Sequence, residues 1–482
     1  MLPVGGRRRS IERSVSLLFL MVRLRPVLIS VALLSLASSV TGQTPIPSPT
    51  PLPLDRLTLQ ARANVVQGSG ARALGMGGAF LARADDATAA SWNPAGLSYL
   101  RLPEISFVYS GGNLNSHETI PMTTDFIDDQ RHGHGPEFVA ATYPLRIGSV
   151  SGSMQLSLQR QISFSSDRTI DEFFGTPASN ASFTRHSTIA SRGGFDVLAL
   201  GSGWQLTQTL RVGATVNRWF NGYDQTYDRP VEFGVTHQES RFDLHGWNAN
   251  LGVIWTPTQA LNVGLITRTG FRTNSALSRL RRDPFPSPEG VVVRERSFDS
   301  EGLDLQTELE FPAAIGIGVS VRPRSALTVS VDYTRTLWSE GIIRDYFDLG
   351  RTGPATTFDE LPYPTLDNTV PQEDTEQLRA GVEYVVIGNR VKVPIRIGYF
   401  NDGQYFGAIK RYATLGDGSV IPVTGAPRYD ALTAGAGIVF GPILLDAAYV
   451  YEHGSYWDIQ GHGVRVRSHR VFASLIYRHN RH

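Results

Sequence analysis

Residues 150–164, VSGSMQLSLQRQISF, place apolar side chains at Val150, Met154, Leu156, Leu158, Ile162 and Phe164, with Gly152 and Arg160 as the exceptions on that face. Every odd position from Ser151 to Ser163 is Ser or Gln. A period of two sends alternate side chains to opposite faces of a strand. Soluble strands usually run about 5–6 residues, and a tilted strand crosses a bilayer in about 9–11. An alternation sustained over fifteen residues therefore reads as a strand with one face on lipid and the other on a polar interior.

The pattern recurs in TVSVDYTRTLW, where Leu327, Val329, Val331, Tyr333 and Leu337 alternate with Thr328, Ser330, Asp332, Thr334 and Thr336, and in WNANLGVIW, where Trp247, Ala249, Leu251 and Val253 oppose Asn248, Asn250 and Gly252. Such segments fall near 103–111, 136–144, 149–164, 194–206, 210–221, 242–256, 260–271, 309–322, 326–338, 375–387, 391–401, 429–440, 443–453 and 466–478, which makes fourteen. An even count suits a closed antiparallel membrane barrel. Links after even-numbered segments are short (TPTQ, RPRSA), and those after odd ones are long, up to residues 272–308. Short inner turns alternating with long outer loops mark an outer-membrane barrel and put both termini in the periplasm. The expected fold is an all-β, 14-stranded antiparallel transmembrane barrel over residues 101–482. A soluble sandwich or propeller explains the alternation but not the two-length rhythm.

Aromatic residues are expected in two belts at the headgroup levels. Tyr143, Trp204, Trp255, Phe440 and Tyr477 stand at the short-link ends, and Phe164, Trp219, Phe220, Phe271, Phe311, Trp338 and Phe400 at the long-loop ends. The last segment turns Val471, Ala473, Leu475 and Tyr477 toward lipid and is similar to the C-terminal assembly strand of outer-membrane proteins, although Arg478 to His482 extend past its aromatic residue.

Upstream, Arg23 and Arg25 precede an apolar run from Val27 to Val40, with small residues before Gln43. This reads as a secretory signal peptide over residues 1–42. Residues 1–20, with Arg7, Arg8, Arg9 and Arg13, are either a long positive n-region or a stretch ahead of an initiator at Met21. The run falls short of the roughly 20 residues a spanning helix needs. Removing its six Arg and one Glu turns the formal charge of +1 into −4, which leaves no basic surface for nucleic acid. The chain has no cysteine, which excludes disulfide scaffolds, thiolate metal sites and a lipidated cysteine. Residues 43–54, QTPIPSPTPLPL, form an extended proline-rich linker.

Glycines recur at lumen-facing parity: Gly252, Gly264, Gly316, Gly318, Gly381, Gly398, Gly435 and Gly437. A lumen of this width must fill the missing side-chain space with water or protein. Asp332, Arg379, Glu383, Lys392, Arg396 and Asp446 share that parity. They form a polar network that either grips a plug or satisfies itself. The candidate plug is GARALGMGGAFLARADDATAASWNPAG, residues 70–96, within a hatch over residues 55–100. Gly75, Gly77 and Gly78 lack the last glycine of a dinucleotide loop and no βαβ unit surrounds them. Asp85 and Asp86 have no third metal ligand at useful spacing, and Asp86 reads as the cap of the turn ATAASW. No cofactor is expected. RHGHG, with His132 and His134, reads as loop histidines rather than as the base of a membrane enzyme.

ARALGMGGAFLARADDATAASWNPAGL resembles the N-terminal hatch of FadL-type outer-membrane transporters for long-chain fatty acids and other hydrophobic compounds. The family's Asn-Pro-Ala hatch motif matches Asn93, Pro94 and Ala95, followed by Gly96. Stretches 311–339 and 379–403 fit as well. The resemblance implies a hatch-plugged barrel in a Gram-negative outer membrane, and passive uptake of a hydrophobic small molecule such as a fatty acid or hydrocarbon. It also implies lateral release through a defect in the third strand, to which Gly152 belongs without locating the opening. Outer-membrane lipid, lipopolysaccharide and the barrel-assembly machinery are the implied surroundings. The same hatch resembles PorV-type relatives that shuttle protein in a secretion system, which leaves a protein-handling role as the alternative.

Overall fold

The computed structural model describes residues 68–120, 125–176, 181–299, 309–340, 342–343, 374–404, 408–414, 420–457 and 461–479. The signal peptide, the proline-rich linker and the start of the hatch lie outside them. Fourteen strands form the wall: β1 (Glu104–Thr119), β2 (Phe126–Ile147), β3 (Val150–Ser163), β4 (Ala181–Gln205), β5 (Leu210–Phe220), β6 (Gly234–Thr258), β7 (Leu261–Arg268), β8 (Ala314–Arg324), β9 (Leu327–Thr336), β10 (Thr375–Ile387), β11 (Lys392–Gly403), β12 (Arg428–Phe440), β13 (Ile443–Trp457) and β14 (Gly463–Arg478). Each pairs antiparallel with the next, and β14 pairs with β1 from Glu104↔Arg478 to Thr119↔Gly463. The sheet closes on itself, so that among the described residues each of the fourteen strands has a paired neighbour on both sides, the condition for strands to cross lipid. Arg478, just past the last aromatic residue, bonds Glu104 across this seam at 2.8 Å.

Alternation along the strands sets the two faces. On β3, Met154, Leu156 and Leu158 are exposed on the outside, whereas Ser153, Gln155, Ser157 and Gln159 are buried within. On β9, Val329, Val331 and Tyr333 face out, and Thr328, Ser330 and Asp332 face in. The links after even strands are short, such as 148–149 and 441–442, and those after odd strands are longer. On the long-loop side the strands outrun any bilayer: β4 and β6 each have 25 residues. Further hairpin strands, Ser166–Thr176, Gly222–Val231, Asn274–Ser287 and Gly290–Asp299, continue the wall there. Above the membrane both faces are wet, so these pieces carry no apolar alternation and read as loops in sequence. His132 and His134, expected in a loop, belong to β2.

The outer aromatic belt needs correction. Phe164, Trp219, Phe311, Trp338 and Phe400 are buried, not lipid-facing. Trp219 and Phe400 share parity with the inward Asn217 and Arg396, and Phe311 and Trp338 belong to connections that fold inward. Phe164 and Ile162 are turned by a register shift between Arg160 and Ile162. Tyr109, Trp247, Tyr333, Tyr399 and Tyr449 are among the exposed rings toward that end. At the opposite end Tyr143, Trp255, Phe440 and Tyr477 are exposed as expected.

Inside the lumen the chain from Gly68 to Leu100 forms α1 (Ala71–Gly75), α2 (Ala89–Trp92) and a 3-10 helix, Pro94–Tyr99. These residues are almost entirely buried. Gly77 and Gly78 both take positive φ, at 66° and 73°, to reverse the chain after α1. Leu74, Phe80, Trp92 and Leu97 share a core with the inward Phe400, Val450 and Phe472 of the wall.

Candidate functional site: hatch seat, aromatic cage and wall window

The inward glycines are where the hatch touches the wall. A Cβ on Gly264 would lie 2.3 Å from the Leu81 carbonyl oxygen, and one on Gly398 would lie 2.2 Å from the Gly77 nitrogen. Gly252, Gly381 and Gly435 likewise face Asn93, Met76 and Gly75, whereas Gly437 makes room for Asp446. Gly316 and Gly318 accommodate Leu81. Backbone thus approaches backbone at distances no side chain would permit.

Wall side chains then satisfy the plug's main chain, as buried polar groups require. Ala71 N–H donates to Ser474 Oγ at 2.7 Å, and Gly77 N–H donates to Thr433 Oγ1 at 3.0 Å. Leu81 N–H donates to Asp332 Oδ2 at 2.7 Å, while Ser153 and Gln155 donate to the Leu97 and Ala87 carbonyls. Asn93 stands at the centre of the seat. Its Oδ1 accepts Ala95 N–H at 3.1 Å and caps the 3-10 helix, with Pro94 at the first position. Its Nδ2 lies 2.9 Å from the Leu81 carbonyl oxygen and 3.2 Å from that of Val253 on β6. One amide therefore joins two hatch segments to the wall. Ala95 and Gly96 are buried beside it, and a Cβ on Gly96 would overlap the Ala84 carbonyl at 1.8 Å.

The charged lumen residues do not merely satisfy one another. Glu383 accepts from Arg83 at 2.8 Å and Arg72 at 3.3 Å, both from the hatch, and from Arg396 at 2.7 Å. Arg396 also pairs with Asp446 at 2.6 Å, and Arg72 with Asp85 at 2.8 Å and Asp86 at 3.3 Å. Burial pushes the Asp85 carboxyl up, but Arg72 and Arg83 outweigh it and hold it below the ordinary carboxylate range. Asp86 Oδ1 also accepts from the N–H and hydroxyl of Thr88 and so closes the turn ahead of α2, whose N-cap is Thr88 and not Asp86. Arg379 pairs with Asp402 at 3.1 Å and reaches the Gly77 carbonyl at 3.4 Å. Lys392 lies exposed at the start of β11, apart from this network.

On the long-loop side of the hatch, Phe164, Trp219, Phe271, Phe311 and Trp338 of the outer belt form a cage, whereas Phe400 packs on the hatch. Phe271 and Phe311 stack at 5.0 Å, and Trp219 packs on them at 5.0 and 5.1 Å. Phe164 meets Phe195 edge-on at 5.1 Å and Tyr223 at 4.5 Å. All belong to one buried apolar cluster with Phe242 and Trp338 or pack against it. Between cage and hatch lies a cavity of about 50 Å³, with Trp219, Phe271 and Phe311 on one side and Ala90 and Ser91 of the hatch on the other. Gln159 and Gln161 line its flank.

The same two glutamines line a second cavity, of about 310 Å³, that reaches from inward residues of β13 and β14 such as Glu452 and Phe472 to β2 and β3. The β2–β3 ladder runs from Ile147↔Val150 to Phe138↔Gln159 and resumes only at His132↔Asp167. Between these points residues 133–137 face residues 160–166 without pairing. Gly133, Gly135 and Pro136 border the break on one side, Arg160 to Ser163 on the other. It is level with Tyr109, which pairs with Pro136. The defect in the third strand is therefore not at Gly152, whose Cβ would collide with Gly203 and Trp204 in continuous sheet. The sequence carries no sign of it, because the apolar phase runs unchanged through Ile162 and Phe164 while the backbone register shifts beneath it.

A plugged fourteen-strand barrel with this hatch also matches a known family model, over residues 76–347. The chain belongs to the BamG family. Solved structures similar to this BamG-family barrel include the CymD monoaromatic hydrocarbon channel, 14% identical with a TM-score of 0.51 over 86% of this chain and 99% of that one. The toluene transporter TodX of Pseudomonas putida is 14% identical with a TM-score of 0.52, over 86% of this chain and 98% of that one. At this identity both likenesses concern the fold, and the FadL-type resemblance of the hatch holds at that level. No curated protein matches the sequence.

Proposed function

We propose that this protein is an outer-membrane channel for passive uptake of hydrophobic small molecules. The observation that carries the reading is the aromatic cage inside a polar lumen, closed below by the hatch and adjoining a break in the wall. An apolar solute gains free energy by leaving water for such a cage. A route that passes sideways through the wall never opens a water pore. The exposed apolar band outside, the similar channels CymD and TodX, and the buried Asn93-Pro94-Ala95 seat support the same reading. On it, the hatch residues Gly75, Gly77, Gly78, Asp85, Asp86 and Gly96 hold the plug, and Asp332, Arg379, Glu383 and Arg396 grip it. Solute enters from the long-loop side and leaves at the break between β2 and β3.

The test is entry of labelled toluene and labelled oleate into cells that make the protein, against cells making the same barrel with the cage residues Trp219 and Phe311 both changed to Ala. Faster entry of at least one probe with the parent than with the variant is expected. Equal entry of both probes for parent, variant and an empty control sinks the proposal. A protein partner co-purifying under that result would move support to the protein-handling alternative.

A further inference from the structure

Among the described residues, Arg465 and Arg467 on the outer face of β14 are exposed and meet no carboxylate. Elsewhere at the long-loop end outer arginines find one: Arg335 pairs with Asp374 at 2.8 Å, Arg428 with Glu376 at 2.9 Å and Arg241 with Asp243 at 3.0 Å. Strand register sets what surrounds the two. Arg467 lies between His453 of β13 and Asn115 of β1, and Arg465 between Ser455 and His117. Carboxylates on this face of the flanking strands are already engaged, Asp128 by His117 at 2.6 Å, and Asp430 by Tyr399 at 2.5 Å and Asn401 at 2.7 Å. The phenol of Tyr449, one of the exposed outer rings, reaches His469 Nδ1 at 2.6 Å and marks the level of the headgroups. At about 3.4 Å per residue and a tilt of about 40°, Arg467 and Arg465 stand roughly 5 and 10 Å above it. That is the depth of the polar layer over a hydrocarbon core.

We propose that Arg465 and Arg467 form a binding site for a phosphate-bearing glycolipid of the outer leaflet, with the long loops outside. Such a site lies outside the lumen and is independent of what the lumen carries. The two arginines stand on one face two positions apart, about 7 Å along the strand, so both planar guanidinium groups can close on one phosphate. No protein carboxylate competes for them. Beneath the pair, Val471 and Leu475 of β14 and Ile105 and Phe107 of β1 expose apolar side chains, a surface for acyl chains that a free anion would not use. Asn115, Gln130 and Ser455, exposed beside the arginines, both donate and accept hydrogen bonds. They match sugar hydroxyls, which favours a glycolipid over a phospholipid. Because Asn115 and His117 belong to β1, the occupant lies across the seam where the sheet closes.

The measurement is the apparent Kd of bis-phosphorylated lipid A for the full-length folded barrel in detergent, read by native mass spectrometry. Three proteins are compared: the parent, the double variant Arg465→Gln with Arg467→Gln, and Arg335→Gln, whose arginine already has Asp374. The double variant should bind roughly tenfold or more weakly than the parent, and Arg335→Gln should bind as the parent does. Dephosphorylated lipid A should bind the parent as weakly as lipid A binds the double variant. Equal binding of lipid A by parent and double variant overturns the site. So does equal binding of the phosphorylated and dephosphorylated lipids by the parent, a comparison that decides even where the double variant does not fold. Phosphatidylglycerol bound as tightly as lipid A overturns the glycolipid assignment, and inorganic phosphate that displaces lipid A at equal concentration overturns a lipid occupant altogether.

Discussion

Glu383→Ala tests whether the hatch is held by the lumen network. Glu383 is 2% exposed and joins two hatch arginines to one wall arginine. The three respond differently to its loss. Arg396 retains Asp446, and Arg72 retains Asp85 and Asp86. Arg83 is left with Asp85, 3.6 Å from its Nε, and neither Nε nor Nη1 makes a hydrogen bond. Removing one partner of a buried ion pair costs about 3–5 kcal/mol, mostly because the remaining charge stays desolvated. At about 1.4 kcal/mol per factor of ten, the open hatch should become roughly a hundred to a few thousand times more populated. With Ser98→Cys as the sole thiol, buried beneath the Ala95 carbonyl it bonds, the labelling rate by a water-soluble maleimide reads that population. Glu383→Gln should accelerate labelling less, because its amide oxygen still accepts from Arg83. Labelling of Glu383→Ala within a factor of about three of the parent, in a barrel that still migrates as folded, refutes the lock.

In the same assay Asn93→Ala should accelerate labelling by roughly a hundredfold, from about 3 kcal/mol in all: about 1 kcal/mol for the lost cap and about 1 kcal/mol for each of the two lost carbonyl bonds. Gly264→Val should unseat the hatch by overpacking against the Leu81 carbonyl, at a cost of about 1–3 kcal/mol, while Gly135→Ala, with open space around it, should leave labelling unchanged. Phe311→Ala removes a ring stacked on Phe271 and Trp219; toluene entry should fall while hatch labelling stays at the parent rate. Asp85 has a depressed folded pKa, so its contribution is fully present above the unfolded value near 3.9 and is lost only as pH falls through the folded value. Labelling corrected for maleimide chemistry should therefore be flat from about pH 8 to pH 5 and rise only in stronger acid; a rise already between about pH 7 and pH 6 contradicts the assignment.

The wall was legible because lipid on one side and water or plug on the other write a period of two into every crossing. That is why all fourteen segments correspond to strands, and why Gly264, Gly398 and Glu383 could be placed inward from parity alone. Asn93 was legible only through the resemblance of its motif; nothing in its local sequence announces bonds to Leu81 and to Val253, 160 residues away. Above the bilayer the solvent is the same on both faces, so hairpin strands such as Gly222–Val231 lost their pattern. The buried aromatics of the outer belt were hidden for a different reason. Aromatic residues at a strand end were assigned by height, when the parity of Trp219 with Asn217 and of Phe400 with Arg396 already pointed them inward.

Two irregularities in adjacent strands account for what regular alternation cannot build. An unbroken β3 would keep Ile162 and Phe164 on the lipid side, and an unbroken β2 would pair residue 137 with β1. The shift between Arg160 and Ile162 instead brings Ile162 and Phe164 into the cage, and the shift between Val108 and Tyr109 frees Glu137 to face the hatch. Each bulge also takes its strand out of step with the other, so that five residues of β2 confront seven of β3 without a ladder between them. Cage and window therefore share an origin in backbone register. Deleting Gln161, the residue the shift leaves without a partner on β4, should keep Ile162 and Phe164 in the cage, because the pairs beyond the bulge already hold that register, and should leave six residues of β3 against five of β2; a Phe164 turned outward in that variant would refute the origin in register.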